Sequence, residues 1–150
     1  MAGERHPYTL GLSRTIQINA PIEKVWDALI NPRMTKQHLF GCVAETDWRP
    51  GSPIIWKGYE DDLIYVIGEV IRFEPPHILE TTTFAPNAGY EDIQANYLTG
   101  TYELSPNDGS TTLVITQGDF AVVADGEKRY SESIEAWDMS LGILKKILET

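Results

Sequence analysis

The chain has 150 residues, a single-domain length, and 42% of them are hydrophobic, which is enough to bury a sizeable core. Its 22 acidic residues outnumber its 12 basic ones, for a formal charge of -10. That balance argues against nucleic acid, whose phosphates need clustered Lys and Arg, and against an anionic membrane surface. One cysteine, Cys42, excludes an internal disulfide and a cysteine-rich metal site, and a lone thiol fits a reducing cytoplasm. No apolar run has the length of a signal peptide or a membrane span.

Residues 1–9 read as a flexible arm and residues 10–150 as one domain. Leu12, Ile16 and Ile18 suggest a strand from Leu10 to Ile18. Asn19-Ala20-Pro21 has the chemistry of a helix start, and Ile22, Val25, Trp26 and Leu29 share one helical face. Asn31-Pro32 ends that helix, and a second short one is expected over Arg33 to Leu39. Strands then follow over Gly41 to Trp48, Pro53 to Lys57, Leu63 to Phe73 and Ile78 to Phe84. Further strands are expected over Ile93 to Leu104 and Thr111 to Gln117. Asp108-Gly109 marks a hairpin turn, because both positions accept positive φ. Gly68 and Gly100 lie mid-strand, where glycine often marks a bend.

Glu127 to Leu148 is the clearest helix. Tyr130, Ile134, Trp137, Leu141, Leu144 and Leu148 recur at alternating steps of four and three, forming one apolar stripe. At 1.5 Å per residue this helix is ~30 Å long and can cross a small sheet. Strands joined by short turns must be antiparallel. The expected fold class is therefore α+β: a curved antiparallel sheet of six to seven strands wrapped around a long C-terminal helix. Two short helices follow the first strand.

This order resembles the helix-grip superfamily (START/Bet v 1-like, SRPBCC), which includes START domains, plant pathogenesis-related class 10 proteins and polyketide cyclases. Within it the chain most resembles the branch named after the C-terminal domain of the activator of Hsp90 ATPase. The residues that carry the resemblance are the run Ile16 to Leu29, Asp47-Trp48-Arg49-Pro50-Gly51-Ser52, and Gly68-Glu69-Val70. Pro75-Pro76-His77-Ile78-Leu79, Gly109-Ser110-Thr111-Thr112-Leu113 and the helix containing Trp137 complete it. Ser52 replaces the second glycine of the usual Gly-Gly turn. The resemblance implies a cavity between sheet and helix; periodicity alone shows two apolar faces that must meet.

The residues expected around such a cavity are Phe40, Trp56, Gly100, Tyr102, Ile115, Gln117, Phe120, Tyr130, Ile134, Trp137 and Leu141. Tyr102 and Tyr130 offer a flat apolar body with a hydroxyl to orient a guest. Gln117 follows Ile115 on the inward face and needs partners, from a ligand or from backbone. For Trp48 and Trp137 ordinary core packing is the readier reading.

No cofactor motif occurs. The three histidines lack a metal-ligand spacing, and Glu60-Asp61-Asp62 lacks that of a calcium loop. Ser13, Ser52 and Ser105 lack a nucleophile-elbow context, and Cys42 reads as a buried, inert thiol. Glu69 is the one acid whose register leaves an inward position open. Three functions fit: binding of a small hydrophobic ligand, an Hsp90-cochaperone-like interaction domain, and a polyketide cyclase/dehydrase-like enzyme. An uncovered edge strand would allow a homodimer.

Overall fold

The computed structural model describes residues 8–150. The chain runs β1 (Leu12–Ile18), α1 (Ile22–Ile30), α2 (Pro32–His38), β2 (Cys42–Glu45), β3 (Pro53–Gly58), β4 (Ile64–Glu74), β5 (Ile78–Thr83), β6 (Leu98–Asn107), β7 (Ser110–Gly118) and α3 (Gly126–Leu148). The strands form one antiparallel sheet in the order β1-β7-β6-β5-β4-β3-β2. Every neighbour but β1–β7 is consecutive in the chain, as short turns require. The long return from β1 through six strands brings the first and last strands together and curls the sheet.

Asn31 both ends α1 and starts α2. Its side chain accepts a hydrogen bond from the Arg33 N–H at 3.0 Å, and Pro32 takes the first helical position, where a missing N–H costs nothing. Asn19 does not cap α1 as expected; its carboxamide oxygen accepts instead from Ser110 Oγ. Asp108 and Gly109 both have positive φ, so Asn107 pairs directly with Ser110 in a two-residue hairpin.

The expected strand over Gly41 to Trp48 stops at Glu45, and Trp48 adopts φ 56° to stack on Phe73. The strand expected from Ile93 begins at Leu98; Gln94–Asn96 form a single 3₁₀ turn instead. Of the expected arm, residues 1–7 lie outside the described residues. Tyr8 and Thr9 are fastened: the Tyr8 ring stands against Gly118, and the Thr9 N–H donates to Asp119.

Two mid-strand glycines do different work. A methyl group on Gly68 would lie 1.8 Å from the Thr82 carbonyl oxygen, so glycine permits close passage of β4 over β5. At Gly100 the nearest atom would be the Thr116 carbonyl oxygen at 3.9 Å, so that glycine leaves space unfilled.

The main core joins α1 (Val25, Trp26, Leu29) and the last turns of α3 (Leu141, Leu144, Leu148). Ile18, Leu79, Leu104, Leu113 and Ile115 from the sheet meet them. A smaller cluster of Leu12, Leu98, Phe120 and Val123 sits at the other end, with Tyr130, Ile134 and Trp137 half-buried against it. Thus the last turns of α3 join the main core, and its N-terminal half packs on the smaller cluster.

Candidate functional site

Between α3 and the sheet lies a cavity of about 450 Å³. This is within the range that takes a small organic molecule. Leu39, Phe40 and Cys42 wall it where α2 enters β2. Trp56 comes from β3 and Tyr65 and Val66 from β4. Thr81 and Thr83 come from β5, Gly100, Thr101 and Tyr102 from β6, Ile115 and Gln117 from β7, and Trp137 from α3.

The lining follows from sheet register. Thr81 pairs with Gly100, Gly100 with Gln117, and Tyr102 with Ile115, so these residues share the concave face in adjacent rows. The β3–β4 pairing slips after Trp56, which faces Val66 while Lys57 faces Ile64. This one-residue bulge leaves Tyr65 over, and Tyr65 and Val66 both reach the cavity wall.

Seven expected residues meet here: Phe40, Trp56, Gly100, Tyr102, Ile115, Gln117 and Trp137. The other four stand elsewhere. Phe120 is fully buried in the smaller cluster, and the Tyr130 ring meets it edge-on at 5.5 Å. Ile134 packs on that same cluster, and Leu141 belongs to the main core beneath α1. The stripe on α3 is continuous, but only Trp137 lies over the cavity; the residues above and below it meet solid packing. Glu69 points to solvent, because β4 turns Val66 and Val70 inward in its register.

No lining residue is a carboxylate, imidazole, ammonium or guanidinium. The Cys42 thiol is pushed up by burial and by the nearby Asp61 charge, which keeps it protonated. The Tyr102 hydroxyl is also pushed up by burial, so the wall is neutral. An isolated charge placed against this lining would meet no counter-charge and would bear the cost of its lost hydration.

Three side chains make the polar end. Trp137 Nε1–H donates to Gln117 Oε1 at 2.9 Å, and the Tyr102 and Trp137 rings meet edge-to-face at 5.7 Å. The Gln117 amide nitrogen and the Tyr102 hydroxyl have no hydrogen-bond partner among the described residues. An amide locked by one bond and a phenol locked by an aromatic contact thus present unspent polar groups on an apolar surface.

Another buried titratable group lies outside the cavity. His38 on α2 is 1% exposed; its Nε2–H donates to the Ala28 carbonyl at 2.7 Å and its Nδ1 is unpartnered. Burial lowers its pKa below 6.5 despite that bond. Among the described residues no group of three His, Cys, Asp or Glu could hold a metal ion, and no helix is long and apolar enough to cross a membrane.

A curved antiparallel sheet gripping one long helix over a cavity defines a helix-grip domain of the START/Bet v 1-like superfamily. More narrowly, the chain belongs to the family described as activator of Hsp90 ATPase homolog 1-like protein, whose match spans residues 19–149. The solution structure of ChR145 from Cytophaga hutchinsonii is 34% identical, with a TM-score of 0.76 over 96% of this chain and 97% of that one. CalU16 from Micromonospora echinospora is 19% identical, with a TM-score of 0.72 over 91% of this chain and 73% of its own. An HSP90 activator from Plasmodium falciparum is 18% identical, with a TM-score of 0.59 over 77% of this chain and 74% of that one. At the two lower identities the likeness is one of fold. No curated protein matches the chain.

Proposed function

We propose that this domain binds a small, largely apolar molecule in the cavity between α3 and the sheet. The observation that carries the reading is the pair of unspent polar groups, Tyr102 hydroxyl and Gln117 amide, on an otherwise apolar and uncharged wall. A core built only for stability would fill that space, since each cavity costs packing energy.

Magnitudes favour a guest that uses both groups. Burying ~300 Å² of apolar ligand surface is worth about 7.5 kcal/mol at 25 cal/mol/Å². Association costs of ~4 kcal/mol leave about half of that. Two hydrogen bonds of ~1 kcal/mol each then bring the dissociation constant to about 100 µM. The neutral fluorophore N-phenyl-1-naphthylamine tests this. Saturable one-to-one binding is expected, with loss of binding in Gly100→Leu, whose side chain would occupy the floor of the cavity. An unsaturable signal, or a Gly100→Leu protein that binds as the parent does, overturns the reading.

Family membership supports a second reading, contact with an Hsp90-type chaperone. Stimulation of a cognate Hsp90 ATPase by the purified domain tests it; no stimulation at tens of micromolar excludes it.

A further inference from the structure

A second cavity, of about 460 Å³, adjoins the first: Val66, Thr83 and Gln117 form walls of both. The two differ in charge. Where the first is neutral, the second is lined on the α3 side by Lys128, Arg129 and Glu132. Two cations to one carboxylate runs against a chain in which acids outnumber bases 22 to 12.

Arg129 is the unusual member. It is only 9% exposed, yet no carboxylate lies within ion-pair distance among the described residues. Its guanidinium donates to the Ala124 and Asn96 carbonyls at 3.3 and 3.1 Å and lies 4.8 Å from the Tyr90 ring centre. Buried arginines ordinarily have a counter-charge. Burial holds its pKa below the ordinary guanidinium value, with Tyr90, Asp125 and Glu132 offsetting part of that effect. The one carboxylate in the lining, Glu132, lies 3.8 Å from Lys128, and both are largely exposed. Lys128 and Arg129 also lie near the start of α3, where the helix dipole disfavours cations. An anion placed there would relieve both misfits.

Building on the ligand-binding reading, we propose that the ligand is an amphiphilic carboxylate, its apolar part in the first cavity and its carboxylate in the second, held by Arg129 and Lys128 past Gln117. The free Gln117 amide N–H groups stand on the wall between the chambers and fit the same head group.

Displacement of N-phenyl-1-naphthylamine by decanoate and by 1-decanol tests this, the two differing only in the head group. Decanoate is expected to displace the probe at a concentration about tenfold lower, the scale of one charge-assisted hydrogen bond. That preference should collapse in Lys128→Gln and Arg129→Gln and grow in Glu132→Gln, which frees Lys128. Arg129→Lys keeps the charge without the two carbonyl bonds. It should retain a preference, and it serves if Arg129→Gln fails to fold. Equal displacement by the two compounds, or an unchanged preference in Lys128→Gln with none gained in Glu132→Gln, overturns the amphiphile proposal and leaves the cavity reading standing. Failure of the probe itself to bind overturns both.

Discussion

Tyr102→Phe separates a residue kept for binding from one kept for the fold. The substitution removes one oxygen and leaves the ring against Trp137 at 5.7 Å. That oxygen has no partner among the described residues, and burial disfavours its ionisation. Removing an unpartnered hydroxyl from a dry site relieves up to about 1 kcal/mol; if water meets it, the change is about zero. For a domain of this size the midpoint should therefore stay level or rise by up to about 3 °C. Affinity for 1-decanol should fall by about 2- to 12-fold, the worth of one net hydrogen bond. Thermal unfolding by circular dichroism and probe displacement read the two quantities on one preparation. A drop of about 5 °C or more would show that the hydroxyl holds the fold. Unchanged decanol affinity would show that it orients no guest.

Gly68→Ala and Gly100→Ala should diverge in urea denaturation. The first forces a methyl group into the Thr82 backbone and should cost about 3 kcal/mol or more, whereas the second should stay within about 0.5 kcal/mol of the parent or gain slightly. Equal costs would refute the distinction drawn between them. His38 predicts acid sensitivity. Its folded pKa is depressed, so the unfolded state takes up the proton first; stability is complete above about pH 6.5 and is lost as pH falls from there towards the folded value. Urea midpoints between pH 7.5 and 5.5 should fall for the parent, and less for His38→Gln; identical slopes would count against the assignment.

Periodicity made both long-range helical faces legible. Val25, Trp26 and Leu29 on α1 and Leu141, Leu144 and Leu148 on α3 are buried where a 3.6-residue repeat puts them. The Asp108-Gly109 turn was equally readable, because its chemistry is local. What the residues alone did not disclose was set by distant partners. Ile93 to Tyr97 has strand-like composition, yet pairing on β5 ends with Thr83 opposite Leu98, so the segment before Leu98 has no strand to pair with. Thr81, Thr83 and Tyr65 reach the cavity through cross-strand register and a bulge, neither of which a single strand announces. Cys42, expected to be buried, lies in the wall. The misplacement of Tyr130, Ile134 and Leu141 has one cause: an apolar stripe tells which side of a helix turns inward, but not whether that side meets atoms or empty space; Phe120, in the connection between β7 and α3, turns into the smaller cluster instead.

The division of α3 between packing residues and roofing residues carries an evolutionary consequence. Leu141 to Leu148 secure the rod to α1 and the sheet and Tyr130 and Ile134 secure its other end, while Lys128, Glu132 and Ser133 overhang the second hollow. Substitutions in the overhang can therefore retune which cargo is accepted without loosening the mooring. One scaffold can pass through a series of specificities while its resistance to unfolding is held largely by residues such as Leu144 and Leu148 that line neither hollow.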